Sequence, residues 1–155
     1  MKKIDEKTFY LDREDIFLHL KNRPPLLMID HVYVEPGERA YTTQKLDASA
    51  WYFECHFPGK PMMPGVLQLE SIFNTAAMPI KLLDGYKDKT TNIVQVKDVK
   101  YKRHILPGDE IDICAQVLKF RRGLANMKGT VSVRDDICCE AEFVLVVLDD
   151  VPKIQ

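Results

Sequence analysis

Residues 65–78, GVLQLESIFNTAAM, are the segment that most restricts how this chain of 155 residues can fold. Apolar side chains recur there at helical spacing, which predicts a helix from Gly65 to about Met78. They cover nearly the whole circumference, and a helix of that kind has to be buried by other elements. Pro79 predicts a break or kink near the end of the helix. The fold must therefore wrap around this segment.

Long alternating segments follow this helix, and turn signals separate them. They predict strands over residues 92–106, 111–120, 125–134 and 137–148. Upstream we expect a helix over 12–22 with Asp12 at its N-cap, strands over 26–34 and 40–46, and a short aromatic strand that ends at His56. A buried helix followed by an antiparallel meander is an α+β arrangement. A second copy of the chain would be a natural cover for an open edge of such a sheet.

Composition indicates one globular domain and excludes several functional classes. The 46% hydrophobic content supports a single domain over residues 1–155, with residues 1–11 and 149–155 at its periphery. A net charge of −1 leaves no overall positive field for nucleic acid. No apolar run reaches the roughly 18 residues of a membrane span, and the charged N-terminus lacks a signal-peptide core. The four cysteines form no CxxC pair, which predicts reduced thiols and a cytoplasmic location.

The segment 51–70, WYFECHFPGKPMMPGVLQLE, contains the candidate chemical groups. His56 precedes a proline-rich loop and suits either a general base or a structural histidine. Glu70 lies about one and a half turns into the apolar helix. Burial there would raise its pKa and make it a candidate acid. The alternative is a structural acid that is bonded to a backbone amide or an arginine.

Gly65 begins the helix, where free amides carry positive potential and could bind a carbonyl oxygen. The alternative is a glycine that is needed only for a tight turn. Cys55 beside His56 suggests a nucleophile and its base, but neighbours on a strand point to opposite faces, so we assign Cys55 no role. A base, a buried acid and an oxyanion donor together indicate proton removal next to a carbonyl. The apolar helix and sheet would then provide a tunnel for an acyl chain.

The stretch HFPGKPMMPGVLQLE, from His56 to Glu70, closely resembles the central motif of the (3R)-hydroxyacyl-acyl carrier protein dehydratases of fatty acid synthesis. RPPLLMIDHV (23–32), VKYKRHILPGDEI (99–111) and CCEAEFVLVV (138–147) resemble further family segments in the same order. The resemblance implies a hot-dog fold, in which a curled antiparallel sheet wraps a long central helix. It also implies dehydration of (3R)-hydroxyacyl thioesters to trans-2-enoyl thioesters, in fatty acid synthesis or a related lipid or polyketide pathway.

The same resemblance implies a role for each candidate residue. His56 would remove the C2 proton, Glu70 would help to expel the 3-hydroxyl as water, and Gly65 would offer its amide to the thioester carbonyl. In this family the histidine and the acid of one site come from two subunits, which implies a homodimer, and members often form trimers of dimers. No metal or redox cofactor is implied.

The acyl chain would arrive on the phosphopantetheine of acyl carrier protein, an acidic partner. The basic residues that are candidates to meet it are Lys97, Lys100, Lys102, Arg103, Arg121 and Arg122. Each of them could instead belong to a solvated basic face.

Departures from the family pattern leave two alternatives open. Cys55 stands where the common form has glycine, and Ser71 and Asn74 replace the alanine and glutamine after the acid. One alternative is an acyl thioesterase, because the same fold hosts that activity. The other is a non-catalytic subunit that binds acyl chains or pairs with an active partner.

Overall fold

The computed structural model describes residues 1–149, so all but the first residue of the predicted peripheral tail, 149–155, lies outside the described residues. Within residues 1–149, three helices and eight strands follow one another along the chain. In order they are β1 (Lys2–Lys3), β2 (Phe9–Leu11), α1 (Arg13–His19), β3 (Val32–Glu35), β4 (Arg39–Lys45), α2 (Trp51–Cys55), α3 (Gly65–Lys81), β5 (Thr90–Tyr101), β6 (Glu110–Arg121), β7 (Leu124–Val133) and β8 (Asp136–Leu148).

All eight strands belong to one antiparallel sheet, in the order β1-β2-β3-β4-β6-β7-β8-β5. Tight turns join β6 to β7 and β7 to β8. Arg122, Gly123, Arg134 and Asp135 have positive φ there, as hairpin turns whose twist matches the strands require. Strand β5 returns to the far edge beside β8 and has no strand on its other side within residues 1–149.

Helix α3 lies against the sheet and forms the centre of the core. Ile72, Ala76, Met78 and Ile80 on this helix are fully buried. A side chain at Gly129 of β7 would collide with Ile72, so the glycine lets the helix approach the sheet closely. The expected α+β arrangement, with one buried helix and an antiparallel sheet, is confirmed.

Three local predictions agree with the structure or need only small changes. Asp12 caps α1, and its carboxylate accepts from the Asp15 amide at 3.0 Å. The strands after α3 agree with their predicted ranges to within a few residues, except that β5 ends at Tyr101. Helix α3 continues through Pro79 to Lys81, three residues beyond its predicted end. Proline is tolerated there because its missing amide removes one hydrogen bond only in the last turn.

Two predicted strands are wrong in whole or in part. Residues 51–55 form helix α2, because the adjacent Tyr52 and Phe53 both enter the core, which a strand would prevent. Of the strand expected over 26–34, only the end belongs to β3. The amides of Leu26 and Leu27 donate to the Arg23 carbonyl and form a turn instead.

Residues 1–11, expected at the periphery, add two short strands to the other edge of the sheet. Strand β2 pairs with β3, and Leu11 is fully buried against the core. Within residues 1–149 no helix is long and apolar enough to cross a membrane.

Candidate active site

The loop from His56 to Pro64 is held by its own backbone and by one neighbouring segment. The Met62 amide donates to the His56 carbonyl at 2.8 Å, and the Met63 amide donates to the Ile105 carbonyl at 2.8 Å. Gly59, with φ of 77°, allows the tight turn between Phe57 and Lys60. The peptide bond between His56 and Phe57 is cis. This backbone framework fixes where the histidine lies.

The His56 ring is oriented by one hydrogen bond and one ring contact within this loop. Its Nδ1 lies 3.0 Å from the Met62 carbonyl oxygen. A carbonyl oxygen can only accept, so Nδ1 carries the proton and Nε2 of the neutral ring keeps its lone pair. The ring also packs against Phe57, with 4.0 Å between centroids. This backbone bond is the one expected of a structural histidine, and it leaves Nε2 available to act as a base.

The first turn of α3 begins beside this histidine. Within residues 1–149 the amides of Gly65 and Val66 donate to no protein acceptor, whereas those of Leu67 and Gln68 reach the Pro64 carbonyl. Gly65 is more than a turn residue, because a Cβ there would lie 2.7 Å from the Tyr101 ring. The helix start thus has two free amides beneath an aromatic ring.

His56 and this helix start line one cavity of about 710 Å³. Met62, Met63 and Gln68 contribute to its walls. The end of β5 and the residues after it supply Tyr101 and three basic side chains, Lys102, Arg103 and His104. Helix amides that have no acceptor within residues 1–149 suit an anionic or carbonyl-containing ligand in this cavity.

Glu70 lies in a different environment, farther along α3. Its Oε1 accepts from Asn74 Nδ2 at 2.8 Å and from Asn22 Nδ2 at 3.1 Å. Burial raises the pKa of the Glu70 carboxyl, and these two hydrogen bonds oppose that rise. Asn74 is itself anchored, because its Oδ1 accepts from the Met28 amide at 2.7 Å. A structural acid at this position was expected to bond to a backbone amide or an arginine. Within residues 1–149, Glu70 instead bonds to the side-chain amides of Asn74 and Asn22.

The structure does not bring His56 and Glu70 into one cavity of a single chain. Glu70 lines a separate cavity of about 220 Å³, together with Phe73, Asn74 and residues from β5. The two cavities lie on different sides of helix α3 and share no lining residue, although His56 and Glu70 are only fourteen positions apart in the sequence.

The remaining predicted residues divide into groups. Lys102 and Arg103 border the His56 cavity and pair with Glu140 and Asp136 respectively. Arg121 and Arg122 lie in the β6–β7 turn, at the opposite end of the sheet from Tyr101. The six basic residues therefore do not form one surface.

Cys55 lies on helix α2, so the argument from strand faces against it was wrong. Its Sγ lies 3.6 Å from the Tyr52 carbonyl oxygen, and the residue is exposed at the end of that helix. All four cysteines are unpaired, as predicted.

Two residues beside Glu70 were missed as functional groups. Asn74 was noted only as a departure from the family, although its position four residues after Glu70 predicts contact on one helix face. Asn22 reaches Glu70 across 48 positions, and no local pattern indicates that.

The sequence matches the model of the FabA-like domain over residues 20–142. This chain belongs to the FabA-like domain family. It is 34% identical to a 3-hydroxyacyl-[acyl-carrier-protein] dehydratase FabZ from Chloroflexus aggregans, over 90% of this chain and 97% of the relative. It is 32% identical to the enzyme of that name from Clostridium acetobutylicum, over 89% and 99% of the two chains. The family membership expected from the motif is confirmed.

Solved structures confirm the hot-dog fold. The dehydratase heterocomplex ApeI:P from Xenorhabdus doucetiae superposes with a TM-score of 0.57 at 19% identity, over 70% of this chain and 88% of that one. An uncharacterized protein from Pyrococcus horikoshii gives a TM-score of 0.61 at 14% identity, over 76% and 80%. At these identities the likeness concerns the fold alone.

Proposed function

We propose that this FabA-like domain protein dehydrates (3R)-hydroxyacyl thioesters on acyl carrier protein to trans-2-enoyl thioesters. Its relatives are named 3-hydroxyacyl-[acyl-carrier-protein] dehydratases. The observation that carries the proposal is the joint presence of an oriented base, free helix amides and a carboxyl with a raised pKa in the matched family region. The expectation of an enzyme of fatty acid synthesis agrees with the curated relatives.

In the proposed reaction, Nε2 of His56 removes the C2 proton of the substrate. The thioester oxygen gains negative charge and accepts from the Gly65 amide at the positive end of α3. The protonated Glu70 carboxyl donates its proton to the 3-hydroxyl, which leaves as water. The proton on His56 then returns to Glu70 through solvent, so the site is ready for another turnover.

We further propose a homodimer in which His56 of one subunit meets Glu70 of the other. The separate cavities in one chain support this arrangement. Strand β5 supports it as well, because it is an open edge of twelve residues on which Val94 and Val96 are 58% and 41% exposed. Pairing with a second copy would satisfy this edge and cover these side chains.

Acyl carrier protein is the proposed donor of the acyl chain. Its acidic surface would meet Lys102 and Arg103 at the rim of the His56 cavity, whereas Arg121 and Arg122 lie too far around the sheet to share that contact. A cytoplasmic location belongs to the same proposal, and the four unpaired thiols support it.

The first test is loss of water from 3-hydroxyacyl chains of several lengths on carrier protein. We expect turnover by the wild type and a fall of about 10²- to 10⁴-fold in His56→Ala and Glu70→Gln. Free-thiol release, measured in the same samples, would reveal a thioesterase. A folded wild type without water loss at any length would contradict the dehydratase proposal.

The second test mixes the two inactive variants after unfolding and refolding together. If one site takes His56 and Glu70 from different subunits, each mixed dimer keeps one intact site. Activity should then recover to about a quarter of the wild-type value, since half of the dimers are mixed. Failure to recover any activity, with mixed dimers demonstrated by differently tagged chains, would contradict the two-chain site.

A further inference from the structure

The Glu70 cavity continues into a second cavity along α3. The second one has a volume of about 190 Å³ and shares Leu20, Asn22, Thr91 and Asn92 with the first. Together they form one groove between α3 and the beginning of β5, which we call the α3 groove. It starts at Glu70 and ends at Lys81, eleven residues or about 16 Å farther along the helix axis.

The far end of the α3 groove contains a buried lysine. Lys81 is only 3% exposed, although it lines the cavity. Its ammonium donates to the Lys89 backbone carbonyl, and the described residues provide no carboxylate at ion-pair distance. An ammonium has three N–H donors, so its hydrogen-bonding capacity is not used up. Burial lowers the pKa of Lys81, which is the sign of a charge that the fold does not fully compensate.

The helix dipole is the ordinary explanation for a lysine in the last turn of a helix, but it does not explain why Lys81 is buried. A positive charge at a helix C-terminus is stabilised by the helix dipole. That interaction is available to a solvated side chain and does not require burial. Burying an ammonium with one protein acceptor costs free energy unless another group completes its partners.

Basic and acidic side chains both surround Lys81, and within residues 1–149 none of the acids forms an ion pair with it. His19, Lys21 and Lys89 line the same cavity. The Nδ1 of His19 is buried and has no hydrogen-bond partner among residues 1–149. Asp88 lies close enough to favour the charge on Lys81 without pairing with it, and Asp149 pairs with Lys89 at the surface. This end of the groove thus combines the buried ammonium of Lys81 with a ring nitrogen that has no partner within residues 1–149.

The walls of the groove nearer Glu70 contain more polar side chains than a tunnel for a purely apolar acyl chain requires. Asn22, Asn74, Thr91 and Asn92 contribute there, beside the apolar Phe73 and Leu145. A groove that begins at the candidate acid, has amide and hydroxyl walls and ends at a buried ammonium matches a chain with a polar end.

We propose that the enzyme acts on 3-hydroxyacyl chains that carry a carboxylate at the end remote from the thioester. The carboxylate pairs with the Lys81 ammonium at the end of the α3 groove, and His19 Nδ1 lies beside it. This inference rests on the proposed dehydratase function, because it takes Glu70 as the point at which C3 of the substrate lies.

The test compares two substrates of equal chain length on carrier protein, one ending in a methyl group and the other in a carboxylate, over a series of lengths. We expect the wild type to favour the carboxylate by about tenfold or more in kcat/KM at the length that spans the groove. In Lys81→Met this preference should be lost through slower turnover of the carboxylate substrate, while the methyl substrate changes little. Lys81→Arg keeps the charge and should retain part of the preference.

Lys87→Met is the matched control, because Lys87 is exposed in the neighbouring loop and lines neither cavity. It should leave the preference unchanged. A wild type that dehydrates the methyl substrate as well as or better than the carboxylate at every length would overturn the inference and leave the dehydratase function standing. Equal losses on both substrates in Lys81→Met would also overturn it, by indicating a structural role. If neither substrate loses water, the proposed function fails and takes this inference with it.

Discussion

The two sides of helix α3 hold their candidate groups by different means. Near its start, His56 is fixed by a backbone carbonyl and a tied loop. Near its middle, Glu70 is fixed by the side-chain amides of Asn22 and Asn74. Backbone fixation tolerates substitution of neighbouring side chains, whereas the acid depends on two particular residues. Substitutions that push the backbone aside should therefore have the larger effect near His56. Substitutions that remove a hydrogen-bonding side chain should have the larger effect near Glu70.

The largest effect on the base side should come from Gly65→Ala. The new Cβ would lie 2.7 Å from the Tyr101 ring, so the ring or the helix start has to move. A displacement of this size can lower kcat/KM by about 10²-fold. Steady-state kinetics of Gly65→Ala, Tyr101→Ala and the double variant would separate the causes. If the clash with Tyr101 is responsible, the double variant should match Tyr101→Ala; a further loss in the double variant would contradict that cause.

Asn74→Ala should give the largest loss of stability on the acid side. The change removes a donor to Glu70 and leaves the partly buried Met28 amide without its acceptor. We expect the free energy of unfolding to fall by about 1–3 kcal/mol in urea titrations. The exposed Asn22 offers a control, since Asn22→Ala removes only the longer contact to Glu70 and should cost a few tenths of that amount. Equal losses of stability in the two variants would contradict the prediction that Asn74 contributes more to the fold than Asn22.

A smaller effect should appear in the pH dependence of stability. The pKa of Glu70 is raised above its ordinary value of 4.5, so the folded state binds this proton more tightly than the unfolded chain. The contribution is fully present below the unfolded pKa and is lost as the pH rises through the folded pKa. Glu70→Gln has no carboxyl to ionise, so it does not lose stability as the pH rises, and its side-chain oxygen can still accept from Asn74.

We therefore expect Glu70→Gln to raise the melting temperature by about 1–4 °C at neutral pH, with the difference shrinking toward pH 4. Differential scanning calorimetry at several pH values measures it. A difference that grows on acidification would have the wrong sign and would mean that ionised Glu70 is stabilised by the fold.

The smallest effect should come from Cys55→Ser. The thiol lies on α2 and contacts only backbone carbonyls of its own helix, at 3.6 Å and 3.7 Å. We expect kcat/KM within about twofold of the wild type, because a residue outside the machinery contributes little to the barrier. Alkylation of the wild type by iodoacetamide, followed by the same assay, gives an independent measurement. Strong inactivation by both treatments would indicate that Cys55 takes part in the reaction.

Local patterns predicted those parts of the fold that depend on neighbouring residues. The apolar circumference of 65–78 predicted α3, and alternation with turn signals predicted β6, β7 and β8. The same reasoning failed at 51–55, where three consecutive aromatic residues suit a strand by propensity but form α2 because two of them are buried side by side. Propensity is a weak guide when tertiary burial opposes it.

The sequence by itself determined the candidate groups and their order, since His56, Gly65 and Glu70 lie in one continuous motif. The tertiary structure decided that His56 and Glu70 line separate cavities, because different sides of helix α3 border the two cavities. It also decided that Asn22 donates a hydrogen bond to Glu70 and that Lys81 is buried at the end of the α3 groove. Those relations join residues far apart along the chain, and only the packing of α3 against the sheet brings them together.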